Sequence, residues 1–227
     1  MRHSTRARLL TTTLVFVMAA TVWAAEIVIE NWKEYPLGSR GIPKGWKEPS
    51  WGRPNYELFS IADDGGRVLH MESRGDSSTI AKEITGTVNL KVTPILEWSW
   101  KVVVLPKGGD SRRAATDDQA AQIYVIWRRF PEMLRSRLIG YIWDTTAPAG
   151  EFVKSQKTGT VTYVIVRSGA AELGKWITER RNVVDDFTKI YGEAPDDPNA
   201  LAVAIDSDDT KSQAESYVGP ILFRSPQ

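Results

Sequence analysis

The sequence contains no cysteine and only two histidines in 227 residues. Without thiols there are no disulfides, no thiolate metal sites and no cysteine nucleophile, so apolar burial must supply the stability. His3 falls in a terminal stretch that reads as removable, which leaves His70 as the only imidazole of the remaining chain. One histidine cannot build a multi-histidine zinc site, and a Ser-His-Asp triad would have to use it. His70 sits in "RVLHME", where alternation sets Val68, His70 and Glu72 opposite Leu69 and Met71. That spacing predicts a half-exposed strand histidine. G-x-S-x-G, G-x-G-x-x-G and phosphate-binding loops are also missing, and "KTG" at 157–159 has no S-x-x-K to accompany it. "RGD" at 74–76 reads as a glycine turn.

Long apolar runs are scarce too. The longest, "LLTTTLVFVMAATVWA", is short for a spanning helix of about 20 residues. It follows Arg2, Arg6 and Arg8, and Val22 and Ala24 place small residues where a signal peptidase reads. Residues 1–24 are therefore expected to be a signal peptide cut before Ala25, with an uncleaved anchor as the alternative. Removing the three arginines from the 29 basic residues leaves 26 against 28 acidic ones. A slightly acidic chain argues against binding a phosphate backbone. The expectation is a periplasmic or secreted protein with no nucleic-acid partner and no stable membrane insertion after cleavage. Residues 25–227 fit one domain large enough for a real core.

What is abundant is strand pattern. β-branched and aromatic runs bounded by Gly, Pro, Asp and Asn recur through the chain. They include "EIVIENW", "YELFSIA", "GRVLHMES", "STIAKEI", "ILEWSWKVVVL", "AAQIYVIWRR", "RLIGYIWD", "TVTYVIVRS", "KWITERRNV", "ALAVAID" and "YVGPILFR". Only "FPEMLRSR" at 130–137 and "VVDDFTKIYGE" at 183–193 read as helical, and both are short. The pattern predicts an all-β fold, an antiparallel jelly-roll-like β-sandwich with one or two short helices.

Three acidic or aromatic strand ends stand out. "ALAVAID" sets Ala202, Ala204 and Asp206 on one face, and "DDQAAQIYVIW" does the same for Asp118, Ala120, Gln122 and Tyr124. "YIWDTTAPAG" places Tyr141 and Trp143 on one face and Asp144 at the exit. Small side chains leave room and polar ones read hydroxyls, so such a face suits a glycan or other small polyhydroxyl ligand. The bland alternative is that the alanines make room for a cover, such as the helix at 184–191. Asp118, Gln122, Tyr124, Tyr141, Trp143, Asp144 and Asp206 are the candidate ligand residues. Arg181, with Arg180 beside it, is a candidate partner for an anionic sugar or for the aspartates.

The loop "DSDDTKS" tests poorly as an EF-hand. Counting from Asp206, Lys211 stands where glycine is needed and Tyr217 where the bidentate glutamate is needed. A different Ca²⁺ site built on Asp206, Asp208 and Asp209 stays open beside a simple polar turn. Trp98, Trp100 and Trp127 alternate with polar neighbours and belong to the core, whereas Trp46, Trp51 and Trp143 are binding candidates. Paired carboxylates among Asp118, Asp144, Asp206 and Asp208 would suit a glycosidase, and Tyr with Arg180 or Arg181 a lyase. A cell-envelope protein-interaction domain is the third function class.

Several of these blocks together carry a resemblance: "EWSWKVVVLPKGGD", "DDQAAQIYVIW", "YIWDTTAPAG", "KWITERRNVVDDFTKIYGEAPDD" and "AVAIDSDDTKSQAESYVGPILF". In order and spacing the chain resembles an exported bacterial family catalogued as domain of unknown function 3047. In that family the terminal block is similar to "DTDNT" followed by an aromatic strand; here it reads "DSDDT", with Asp209 in the amide place. The resemblance implies export and a sandwich domain, and no reaction. The acidic loop with its aromatic pattern is also similar to carbohydrate-binding sandwich modules, an analogy at the level of fold.

Overall fold

A computed structural model describes residues 25–49 and 55–226; the expected signal peptide and Trp51 lie outside the described residues. Thirteen strands form two sheets among those residues. The first sheet uses β1 (Glu26–Glu30), β3 (Phe59–Asp63), β4 (Arg67–Arg74), β6 (Ile95–Val104), β11 (Ile177–Asn182) and β13 (Gln213–Arg224). Its order is β11-β6-β13-β4-β3, and β1 joins the far end of β13. The twelve-residue β13 reaches three partners because it bends between Val218 and Ile221, where Pro220 has no N–H to give to a ladder.

The second sheet uses β2 (Trp46–Lys47), β5 (Ser77–Glu83), β7 (Ala121–Trp127), β8 (Arg137–Asp144), β9 (Phe152–Lys154), β10 (Val161–Ser168) and β12 (Ala200–Asp206). Its order is β2-β5-β12-β7-β8-β10-β9. All pairings are antiparallel except β8 with β10. The fold is thus the expected β-sandwich, with one parallel pair and two very short strands, β2 and β9, that their brief sequences did not announce.

Alternation builds the core. β6 buries Leu96, Trp98, Trp100 and Val102 and leaves the residues between them half-exposed. Across the sandwich, Trp98 lies 5.3 Å from Tyr141 and Trp100 lies 5.9 Å from Trp143, ring centre to ring centre. Such aromatic pairs add about 0.5–1.5 kcal/mol to their burial. β7 and β8 are buried on both faces. Ile123, Val125, Tyr141 and Val203 point to the inter-sheet core, while Ile126, Leu138, Ile142, Ala200, Ala202 and Ala204 form a second cluster on the outer face.

The two expected helices are present. α1 (Glu132–Arg135) follows Pro131 at the tip of the β7–β8 hairpin. α2 (Val183–Tyr191) starts on Asn182, whose side chain accepts the N–H groups of Val184 and Asp185, and stops at Gly192 with φ 74°. Val183 and Phe187 of α2 join the inter-sheet core, and Phe187 packs 4.6 Å from Trp127. This helix therefore does not serve as the cover for the alanine face. No helix among the described residues is long and apolar enough to cross a membrane. His70 is half-buried as expected, stacked on Tyr217 with its Nε2 3.0 Å from Glu215.

Candidate ligand-binding site

Strand register lays two rows of side chains across the outer face of the second sheet. One row reads Ala81, Ala202, Tyr124, Gly140, Tyr163 and Val153, each paired with the next on the neighbouring strand. The adjacent row reads Thr79, Ala204, Gln122, Ile142 and Ile165. Gly140 is there for space: a Cβ would stand 2.8 Å from Tyr124 Cε1 and 3.0 Å from Tyr163 Cδ1. A glycine inside a strand marks such close approach.

A cavity of about 220 Å³ opens at the end of this face. Ala204 is part of its floor, and Gln122, Tyr124 and Tyr163 form one wall. Ser77, Ser78 and Thr79 of β5 supply hydroxyls, and Lys157 and Thr158 come from the loop before β10. Asp117, Asp206 and Asp208 complete the lining. A chain of hydrogen bonds stiffens the wall. Tyr124 donates to Gln122, Gln122 donates to Gln119 at 2.9 Å, and Gln119 donates to Asp117 at 2.8 Å. Tyr163 donates to the other Asp117 oxygen at 3.3 Å.

Burial sets the protonation of these groups. It raises both phenols well above their ordinary value, so Tyr124 and Tyr163 act as neutral donors. Burial also lifts Asp117 to about 6. Asp206 is lifted to about 9, first by burial and then by the carboxylates of Asp208 and Asp118. A neutral Asp206 both donates and accepts, which suits a hydroxyl-rich partner.

Asp118 holds the acidic loop from the start of β7, beside the loop's own contact in which the Asp208 N–H donates to the Asp206 carboxyl at 3.2 Å. Asp118 accepts the N–H of Asp209 at 3.0 Å and that of Thr210 at 2.7 Å, and it is fully buried. One oxygen each from Asp118, Asp206 and Asp208 lies within 4.8 Å of the others, so these three are the carboxylates that could share a hard cation. Asp209 does not join them, because its carboxylate pairs with Lys157.

The expected ligand set divides. Gln122, Tyr124 and Asp206 meet at the cavity, and Asp118 supports it from behind. Tyr141 and Trp143 do not: the β7–β8 register puts Ile142 opposite Gln122, so its neighbours turn inward to the core. Tyr141 instead donates to Asp186 at 3.0 Å. Asp144 is a turn cap that accepts from Ser111, Thr146 and Ala147 at 2.7–2.9 Å. Arg181 belongs to the opposite sheet, where its guanidinium grips Asp186, and Arg180 pairs with Glu97. Trp46 is buried, stacked on Trp32 at 5.3 Å, and is not a binding platform. Alternation within single strands does not single out Tyr163, Asp117 or Lys157, which the structure brings to the cavity. Gly140 inside "RLIGYIWD" was the available signal for the first.

The family model described as "Protein of unknown function (DUF3047)" matches residues 44–222. No curated relative matches the chain. Among solved structures, a mutant family 29 carbohydrate-binding module complexed with mannohexaose is 10% identical, with a TM-score of 0.40 over 89% of this chain and 93% of that one. The family 30 carbohydrate-binding module of a Clostridium thermocellum cellulosomal cellulase is 8% identical, with a TM-score of 0.42 over 89% and 99%. The xyloglucanase domain of a type three effector from Sinorhizobium fredii, in complex with cellobiose, is 11% identical, with a TM-score of 0.41 over 83% and 98%.

Proposed function

The chain belongs to the DUF3047 family of proteins of unknown function, and on that premise we propose that its outer-face cavity binds a glycan or a similar polyhydroxyl ligand without cleaving it. The observation that carries this reading is the composition of the cavity. Neutral phenols, an amide, hydroxyls, three carboxyls and one lysine make up a lining that includes alanine, and burial holds the Asp206 carboxyl in its neutral form. Sugar hydroxyls need alternating donors and acceptors at fixed places, and the flat phenol rings can meet a sugar's C–H face. The hydrogen-bond chain from Tyr124 to Asp117 fixes those groups before the ligand arrives, which lowers the ordering cost.

Calorimetry against a panel of neutral and acidic oligosaccharides tests the proposal. Binding is expected for the wild type, and Gln122→Ala or Tyr163→Phe should each weaken it about ten-fold, the cost of a lost hydrogen bond in a desolvated site. A panel with no binder, or variants that bind as the wild type does, would remove the support. We also place the protein in the periplasm or outside the cell, on the strength of Arg2, Arg6 and Arg8 ahead of the apolar stretch at 9–24. An N-terminal sequence beginning at Ala25 in protein recovered from the cell envelope is the expected result.

One observation favours a second reading, a polysaccharide hydrolase. Asp117 and Asp206 both line the cavity and both have raised pKa values. Release of reducing ends by the wild type, abolished in Asp117→Asn, would establish it. A lyase has less support, since burial moves both phenols further from serving as bases and both arginines pair with carboxylates elsewhere.

A further inference from the structure

The opposite end of β7 carries a feature that the cavity does not use. At the tip of the β7–β8 hairpin, Phe130, Met133 and Leu134 are 86%, 92% and 80% exposed. No other large apolar side chain among the described residues exceeds 51%. Three such side chains together on a projecting turn are costly in water unless something covers them.

Their surroundings are cationic. Arg128, Arg129, Arg135 and Arg137 flank the tip in sequence. A cavity of about 290 Å³ behind Leu134 is lined by Arg129, Arg135, Arg137, Lys154, Ser136 and Thr160, and no carboxylate is in its lining. Glu193 pairs with Arg129 and Arg137, and Glu83 pairs with Arg128. Arg135 and Lys154 have no ion-pair partner among the described residues. Glu132 is the one carboxylate on the tip itself.

We propose that this hairpin docks the protein on an anionic phospholipid surface, with Phe130, Met133 and Leu134 entering the interface and Arg135 and Lys154 meeting lipid phosphates. The charge pattern selects the occupant. An apolar partner alone would leave the cations unmatched, and a free anion would leave the three apolar side chains wet. A bilayer interface offers both media at adjacent depths, with phosphates above acyl chains. A fluid surface also accepts a projecting tip without a complementary groove. The seven residues of β7 span about 20 Å from the tip to the end near Gln122, and the 154–160 segment runs between the two regions, lining both cavities. The docking proposal stands independently of the ligand reading.

The cysteine-free sequence permits a local test in the full chain. Met133→Cys carries an environment-sensitive dye at the tip, and Lys107→Cys carries it on an exposed loop at the other end. With vesicles of phosphatidylcholine plus phosphatidylglycerol, the dye at 133 should shift to the blue and the dye at 107 should not. Phosphatidylcholine alone should give a much weaker response, and added salt should reduce the shift. In the labelled background, Arg135→Ala with Lys154→Ala should weaken partitioning about ten-fold or more. Phe130→Ser with Leu134→Ser should weaken it by a similar or larger factor. All four side chains are surface groups, so melting temperatures should hold. The proposal is overturned if the dye at 133 stays in a water-like environment with both vesicles, or if 107 responds equally. It is also overturned if the variants partition as the parent does. A shift at 133 that grows with protein concentration and needs no vesicles would assign the tip to a second copy of the chain, and would overturn it as well.

Discussion

Asp118 accepts the backbone N–H of Thr210 at 2.7 Å across 92 residues of sequence, and with the Asp209 N–H it ties the loop after β12 to the start of β7. A fully buried carboxylate that satisfies two backbone donors is a structural fastener. Asp118→Ala strands both N–H groups, and each unsatisfied buried group costs about 1–3 kcal/mol. The expected loss is about 3 kcal/mol, or roughly 6–12 °C in melting temperature for a domain of this size. Differential scanning calorimetry measures it. Because the same loop presents Asp206 and Asp208, ligand affinity should fall too.

Asp206 gives a pH signature with a definite sign. Its folded-state pKa of about 9 lies above its unfolded value of 3.8. Between those values the unfolded chain releases a proton that the folded chain keeps, so stability is full below about pH 4 and declines as pH rises toward 9. Asp206→Asn removes that penalty while keeping an oxygen to accept the Asp208 N–H, which is now 3.2 Å away. The variant should melt well above the wild type at pH 8 and equally at pH 4. What slope remains should fall mainly below pH 6, where Asp117 titrates with the same sign. Melting curves from pH 4 to 9 on both proteins decide it; parallel curves would contradict the raised pKa.

Tyr141 and Trp143 should separate packing from recognition. Tyr141→Phe loses a buried hydrogen bond to Asp186 and should cost about 1 kcal/mol. Trp143→Ala opens a void beside Trp100 and should cost about 3–5 kcal/mol. Neither residue lines the cavity. Below the lowered melting temperature, their ligand affinity should equal that of the wild type, measured by calorimetry.

Those two residues also mark where sequence stops being informative. Period-two alternation is local, so the inward Trp98 and Trp100 and the outward Gln122 and Tyr124 are legible within their own strands. Which face of β8 joins the face of β7 depends on register, and register is set by a hairpin whose length the alternation does not count. Alternation alone therefore places Tyr141 and Trp143 on the right strand and the wrong side of the sheet. The parallel pairing of β8 with β10 is likewise non-local, and it is what brings Tyr163 to the cavity. Arg181 looked available because Asp186, five residues on, reads as part of a helix face; folding the helix turns that carboxylate back onto the guanidinium. Acidic strand exits were readable as a group, but Asp118 rather than Asp209 completes the cluster, since Lys157 arrives from a separate loop and captures Asp209.

Gly140 offers the sharpest single substitution. It is a strand residue with no need of a left-handed backbone, so its value lies wholly in the missing side chain. Alanine would normally be favoured over glycine in a strand, by about 0.5–1 kcal/mol of backbone entropy. Here the added methyl would meet Tyr124 at 2.8 Å and Tyr163 at 3.0 Å, closer than carbon atoms pack. Neither ring can yield freely, because Tyr124 is bonded to Gln122 and Tyr163 to Asp117. Overpacking of this kind costs about 1–3 kcal/mol, which outweighs the entropic gain. Gly140→Ala should therefore destabilise the fold, and the displaced phenols should lower glycan affinity by ten-fold or more. In Gly140→Ala combined with Tyr124→Phe and Tyr163→Phe the rings lose their tethers and can turn aside, so most of the lost melting temperature should return while binding does not. A stable, fully binding Gly140→Ala protein would mean that the rings have slack, and that the spacing between the two tyrosines is not what shapes the cavity wall.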